Sequence, residues 1–416
     1  MNGLSVNKKS ETNIKLPLSF IFFGLIAFVV SQFIFFINSD ALTNGVFRLP
    51  EILMGAHFLL LGWIVMVIMG AMYQLVPVVF LTPIWSEKLG VVQLIITTVG
   101  IISFSLLLGF NISIAVYGAV ILIIGILLFL WQMIMTLKGQ ENKNILTLFV
   151  MAALVCFLIT ISAGLALSWT IGFGSSINYT AILHSHILLG VAGWFTLLIF
   201  GFSYKLVPMF SLSHGFKMKG SKWAFFSYIL GLVVLIVSFW LELPALATVG
   251  WFLLWIGFTC FCLDIIEIIK KRLKRKLDRP FIFSLIAIGY GWLIHTLVVI
   301  FRIIGIHQDG IWGWMIFLYI ICWIMFSILG YLYKIVPFLW WTYKYSAQVG
   351  KGNVPLLKDM VNEKVGVILF SLFSIGTFGL AFSGIMQVSI AVQLFQGLML
   401  LTSIGYLVSI VDVVKK

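Results

Sequence analysis

A phrase written three times constrains this chain more than any other feature. Tyr73-Gln74-Leu75-Val76-Pro77 recurs as Tyr204-Lys205-Leu206-Val207-Pro208 and as Tyr333-Lys334-Ile335-Val336-Pro337, at intervals of 131 and 129 residues. In every copy a Gly stands three residues before the Tyr (Gly70, Gly201, Gly330) and a Trp ten before it (Trp63, Trp194, Trp323). Three copies in register predict an internal threefold repeat of about 130 residues.

The medium in which such a repeat folds follows from composition. Of 416 residues 62% are hydrophobic and only 9% charged, where a soluble domain carries about 25% charged residues. Apolar runs long enough to cross a bilayer as helices recur along the whole chain. We count twelve, at 16–37, 51–80, 89–110, 112–137, 145–170, 180–210, 222–241, 244–269, 281–304, 311–341, 363–385 and 388–412. The expected fold class is therefore an all-α membrane protein, a single membrane domain over 1–416. Twelve spans in three copies give four helices per unit, with parallel units at about 16–138, 145–276 and 280–413. The repeated phrase closes the second helix of each unit. The polar start, followed by a span-length run with no small-residue cleavage site, predicts no cleavable signal peptide.

Charge orients the bundle. Lys8, Lys9 and Lys15 precede the first span, and Lys88, Lys138, Lys143, Lys217, Lys219 and Lys222 fall in connections on the same side. So do the run Lys270-Lys271-Arg272-Leu273-Lys274-Arg275-Lys276, the lysines at 344, 351, 358 and 364, and Lys415-Lys416. Only Arg48 and Arg302 fall on the other side. The positive-inside rule puts both termini in the cytoplasm of a multi-pass cell-membrane protein. It also accounts for the net charge of +13 without nucleic acid as a partner: these are orientation and anionic-lipid charges. Within the 270–279 stretch, a lipid or partner contact competes with an ordinary solvated loop.

No Walker loop, dinucleotide fingerprint or Cys-x-x-Cys-His attachment site occurs, and the longest connection, 342–362, is too short for a soluble domain. The four cysteines, at 156, 260, 262 and 322, all lie in apolar runs. They suggest packed thiols rather than a disulfide framework or a zinc site.

The chemistry rests on histidine. His57, His184, His186 and His295 lie inside spans, where an ionisable group is costly and functional by default. At 1.5 Å per residue all four sit about 6–14 Å below the outer surface, brought to one level by three helices. Arg48 stands just above His57, and Arg302 two turns above His295. Imidazoles at one depth beneath guanidiniums are what a bundle-bound heme needs, since imidazole nitrogen ligates iron and arginine pairs with propionates. The competing readings are a histidine bonded to a neighbouring helix and arginines that act as interface anchors. His184 and His186 stand about 200° apart around a helix, so they cannot both face one iron unless the helix starts between them. His214 and His307, in or near loops, read as solvent-facing. Met66, Met69 and Met72, at helical spacing, offer soft copper ligands, against lipid-facing or core packing. The repeated Trp, Gly, Tyr and Pro read as structure, the Gly for close helix approach and the Pro to kink or stop the helix.

Twelve helices in three four-helix units resemble the main subunit of the heme–copper oxidases. The segments HFLLLGWIVMVIMGAMYQLVPVVF (57–80) and LHSHILLGVAGWFTLLIFGFSYKLVPMF (183–210) resemble the NnrS family and related oxidase-subunit-I-like proteins. The shared pattern is His-x-His, a Gly, a long apolar stretch with a further Gly, then Val-Pro. It maps onto His184, His186, Gly190 and Pro208, with His57 matching the oxidases' second-helix heme ligand. The resemblance implies a bacterial inner-membrane protein with one or two b-type hemes, copper as an optional addition, and a tie to nitric oxide. The departures are specific. The seventh and tenth spans contain no His, Phe317 occupies the position equivalent to His57, and Leu188 and Gly190 stand where a Tyr would follow the sixth-span His. An oxygen-reducing binuclear centre is therefore not expected. With intramembrane acids scarce beyond Asp264 and Glu267, neither is a proton route. The expected function is heme binding in nitric oxide response, gas binding or electron transfer, with the redox partner open. The alternatives are a transporter or metal-handling permease, disfavoured by a parallel threefold repeat, and a cofactor-free assembly subunit on the oxidase fold.

Overall fold

The computed structural model describes residues 13–141, 143–306, 309–351 and 354–416. Lys8, Lys9 and His307 lie outside the described residues. Twelve helices are long and apolar enough to cross a membrane. They are α1 (Lys15–Ile37), α2 (Pro50–Phe80), α3 (Glu87–Phe110), α4 (Ile112–Lys138), α5 (Ile145–Phe173) and α6 (Tyr179–Ser211). They continue with α7 (Ser221–Leu241), α8 (Pro244–Lys270), α9 (Arg279–Ile303), α10 (Gly310–Gln348), α11 (Glu363–Ile385) and α12 (Ser389–Lys415). No strand forms among the described residues; an isolated bridge joins Ser213 to Arg272. The spans read from sequence match these helices to within a few residues, except the end of α10.

Local chemistry sets the starts. Ser86 Oγ accepts from Leu89 N at α3. Asn144 Oδ1 accepts from Leu146 N and Thr147 N at α5, and Asn178 and Asn362 cap α6 and α11 in the same way. Such side chains satisfy amides left open in a first turn. Pro50, Pro244 and Pro280 enter α2, α8 and α9 in the first turn, where a missing N–H costs nothing.

The three helices that carry the repeated phrase form the interior. The most apolar windows of α2, α6 and α10 are 67, 89 and 78% buried, against 33–56% for the other nine. Around them, α1 packs on α2, α5 on α6 and α9 on α10; α3 pairs with α4, α7 with α8 and α11 with α12. The outer helices meet at α4–α5, α8–α9 and α12–α1, which closes the ring. A buried amide pair seals the last junction, Gln396 Nε2 donating to Gln32 Oε1 at 2.9 Å. On the axis the inner helices leave an apolar cavity of about 60 Å³, with Val67 and Met72, Leu198 and Phe202, and Ile328 and Leu332 in its wall.

Equivalent positions make equivalent contacts. A Cβ on Gly70 would lie 2.7 Å from Pro17 O of α1, one on Gly201 3.0 Å from Phe149 Cβ of α5, and one on Gly330 2.7 Å from Ser284 N of α9. Each phrase Tyr bonds to an outer helix, but not at equivalent places: Tyr73 to Gln93 of α3, Tyr204 to Asp264 of α8 and Tyr333 to Ser409 of α12. Trp63 stacks on Phe28 of α1 and Trp194 on Phe157 of α5. Trp323 departs from this and packs edge-on against Phe258 of α8.

Two features of the inner helices lie beyond what the sequence predicts. Each widens to π geometry at the same place, over Phe58–Val65, Leu189–Phe195 and Tyr319–Met325, bracketing the repeated Trp. A π turn inserts an extra residue and rotates the side chains that precede it relative to those that follow. The phrase Pro also acts differently among the copies. α2 and α6 end in left-handed Leu81 and Leu212, four residues past Pro77 and Pro208. α10 continues past Pro337 to Tyr345 and a further short turn. Its extension is held from outside, Trp341 Nε1 donating to Pro355 O at 2.7 Å.

Candidate functional site

Three of the four intramembrane histidines have their rings oriented by a backbone carbonyl, and in two of these, His57 and His186, the second ring nitrogen is left uncommitted. His57 Nδ1 lies 2.8 Å from Leu53 O, one turn earlier in α2. His186 Nδ1 lies 2.9 Å from Thr160 O of the neighbouring α5. A carbonyl only accepts, so each Nδ1 carries the proton and each Nε2 keeps its lone pair. A second partner that fixes the tautomer in this way is how metal-binding imidazoles are held.

Glycine gives His186 its room. A Cβ on Gly164 of α5 would stand 3.0 Å from His186 Cε1, and one on Gly190 3.2 Å from Thr160 Cγ2. The ring therefore sits in a notch of α5. His57 meets the ring of Phe104 on α3 edge-on at 5.2 Å. His57 and His186 belong to different helices of the inner trio, α2 and α6. Both precede π segments, His57 by one residue and His186 by three.

His184 faces the other way, its exposed ring against Phe239 of α7 at 5.3 Å. The 200° argument thus separates the pair as the sequence requires: His186 turns to α5 and His184 to α7. His214 is exposed.

His295 occupies different surroundings. It is only 1% exposed, and both ring nitrogens are engaged. Nδ1 lies 2.8 Å from Gly291 O, and Nε2 lies 3.4 Å from the Tyr228 hydroxyl. Phe258 and Tyr319 pack on the ring at 4.5 and 5.3 Å. The polar chain continues from Tyr228 Oη to Tyr319 Oη at 3.1 Å, and from there to Thr196 Oγ1 at 2.8 Å. Trp323 Nε1 donates to the same Thr196 oxygen at 3.0 Å. This network ties α6, α7, α9 and α10 together and leaves His295 without a spare lone pair. Thr196→Val keeps the shape but strands the Trp323 N–H and takes one of its two partners from the Tyr319 hydroxyl. We expect it to cost about 2 kcal/mol, read as a lower melting temperature of the detergent-solubilised protein.

Arg48 is exposed and stands just before α2, nine residues ahead of His57. Arg302 Nη2 donates to Pro244 O at 2.7 Å, pinning the end of α9 to the start of α8. Met66, Met69 and Met72 are all buried, which settles their packing as core rather than lipid-facing, and Met69 Sδ accepts from Gln93 Nε2 at 3.4 Å. All four cysteines are free thiols, Cys156 and Cys322 buried and the other two half-buried. Asp264 is buried near the C-terminal end of α8 and accepts from the Tyr204 hydroxyl and from Gly220 N, each at 2.9 Å.

Among the described residues no three His, Cys, Asp or Glu side chains come together as a set of metal-ion ligands. Heme asks less of a protein, because the porphyrin supplies four nitrogens and the chain only one or two. Two imidazoles with committed Nδ1 and uncommitted Nε2 meet that requirement. Along the same stretches, Trp63 Nε1, Ser185 Oγ and Trp194 Nε1 are buried without a hydrogen-bond partner, and buried polar atoms in that state call for an explanation.

Sequence reasoning found the four histidines but could not rank them. It missed the Thr160 carbonyl, since every residue carries one, and the Thr196–Tyr228–Tyr319 chain, whose members stand far apart in apolar runs. A comparison with models of known protein families gives no match, and a comparison with curated proteins gives none either.

Proposed function

We propose that this multi-pass membrane protein binds b-type heme through His57 and His186, in the manner of the oxidase-subunit-I-like and NnrS-like proteins, and serves nitric oxide response, gas binding or electron transfer. One observation carries the reading: two imidazoles on neighbouring inner helices are held by backbone carbonyls, each with Nε2 uncommitted. In this proposal His57 and His186 would hold the heme iron through Nε2, Gly164 keeps the space that His186 needs, and Arg48 would offer a guanidinium to a propionate. His295 holds the bundle together through Tyr228, and Arg302 anchors α9 to α8. Bound heme supplies a one-electron iron couple and, when reduced, affinity for diatomic gases such as nitric oxide.

The proposal includes the architecture: three parallel four-helix units, with both termini and the basic loops on the cytoplasmic side of the cell membrane. It is supported by the recurring Gly–first-helix contacts, the three π segments and the closure of α12 on α1.

The test is an absorbance spectrum of protein purified from heme-replete cells, oxidised and dithionite-reduced, with a pyridine hemochrome assay. We expect a Soret band and sharp reduced bands. One heme b per chain is expected if the histidines share an iron, and two if each holds its own. A shift on adding nitric oxide would give a gas-accessible position, whereas protein with no Soret band removes the heme reading.

A further inference from the structure

A second polar site lies at the opposite end of the bundle, on the face that carries the basic loops. Between the start of α9, the end of α10 and the segment before α11 is a cavity of about 210 Å³, lined by Lys274, Asp278, Lys334, Lys358 and Glu363 with an apolar wall that includes Pro337. The two oxygens of Asp278 are divided between two lysines. Lys274 Nζ lies 2.7 Å from Oδ1, and Lys334 Nζ pairs with Oδ2. All three side chains are largely withdrawn from solvent, at 31, 19 and 22% exposure for Lys274, Asp278 and Lys334.

The third copy of the repeat departs from the others here. The position after the phrase Tyr is Gln74 in α2 and an exposed Lys205 in α6, but a half-buried Lys334 in α10. Lys334 Nζ also lies 6.0 Å from the Phe210 ring centroid of α6. Burying a lysine inside a helix of the bundle costs solvation, and one shared carboxylate returns only part of it.

We infer that this cavity is a binding site for a phosphate group, either the headgroup of an anionic phospholipid or a soluble phosphate ester. Three ammonium groups face two carboxylates, which leaves one positive charge unmatched. Each ammonium has three donors, and Asp278 takes one each from Lys274 and Lys334. The three lysines line a space of about 210 Å³, large enough for a tetrahedral anion. The site's level fits a headgroup: it is formed where transmembrane helices end, and basic pockets between such helices bind anionic headgroups. Partial burial also holds Lys274 below the usual lysine range, with the Glu363 charge opposing that shift, so a bound anion would restore charge stabilisation that the pocket lacks.

The experiment uses the full chain in detergent. Native mass spectrometry reads retention of phosphatidylglycerol against phosphatidylcholine, and calorimetry reads titration with inorganic phosphate. Lys334→Gln places the residue of the first copy at this position. Lys358→Gln alters an exposed lining residue in the short turn Leu357–Met360, and Lys219→Gln, in a loop outside the cavity, is the control. We expect preferential retention of phosphatidylglycerol, reduced about fivefold or more by Lys334→Gln and Lys358→Gln and unchanged by Lys219→Gln. Lipid retention without heat from phosphate identifies a headgroup site; phosphate binding that both pocket variants weaken identifies a soluble ester. Equal retention of the two lipids together with no phosphate binding overturns the inference, as does binding that both pocket variants leave intact. None of these readouts depends on heme.

Discussion

His186→Ala protein, purified from heme-replete cells, is expected to carry less than about a tenth of the wild-type heme while keeping its elution volume and helical content. The ring is half-buried in a notch of α5, and its Nδ1 is committed to Thr160 O. Removing it deletes a donor without stranding a charge. Changes to groups that only orient a metal ligand already cost about 10–100-fold in affinity, so loss of the ligand itself costs at least that. His57→Ala should behave alike. Gly164→Val should lower heme content with both histidines present, because its side chain would occupy the place of His186 Cε1. His184→Ala, whose ring lies against Phe239, should keep wild-type heme. His295→Ala should keep its heme and lose stability instead, because Tyr228 forfeits its partner and a cavity opens among Phe258, Tyr319 and Gly291. The pattern across five variants is the test. Heme lost from His295→Ala and retained in both His57→Ala and His186→Ala would reverse the assignment.

The second large effect concerns the fold. Gly330→Val should abolish stable insertion or lower the melting temperature drastically, with a cost of at least about 3 kcal/mol. A Cβ there would lie 2.7 Å from Ser284 N and 3.0 Å from Pro280 O. Both are backbone atoms of α9, so no rotamer change relieves the clash, and α9 and α10 would have to separate. Gly201→Val should be milder, since its nearest neighbour is Phe149 Cβ at 3.0 Å. Gly289→Ala is the control: nothing lies within 4 Å of its Cβ position, and the gain in helix propensity is worth up to about 1 kcal/mol. Fluorescence-detected size exclusion across a temperature ramp ranks the three. If Gly330→Val melts with the wild type, the close α9–α10 packing is wrong.

Much of this protein was legible in its sequence because the bilayer makes local composition decisive. A span needs only length and apolarity, so the twelve helices could be read directly. The three Gly residues could be assigned to close helix approach before their neighbours were known, because a missing Cβ has few other uses inside a membrane helix. The separation of His184 from His186 follows from helical geometry alone.

Tertiary structure decided everything that depends on which groups meet. His57, His186 and His295 are alike in a sequence; they differ because a carbonyl from α5 orients one, a carbonyl of its own helix orients another, and the Tyr228 hydroxyl consumes the last lone pair of the third. The π segments at Phe58–Val65, Leu189–Phe195 and Tyr319–Met325 carry ordinary helix-compatible residues, so nothing local announces them. Pro77 and Pro337 stand in nearly identical phrases. One helix ends four residues later and the other runs on, because the Pro355 carbonyl holds Trp341 from a segment fourteen residues away. The lysine pocket likewise joins residues from 274 to 363, among them loop charges and a lysine of the repeated phrase, that stand far apart in the chain. Periodicity and composition are summed along the chain, whereas a hydrogen bond or an ion pair is fixed by two particular atoms, and only the folded bundle brings those atoms together.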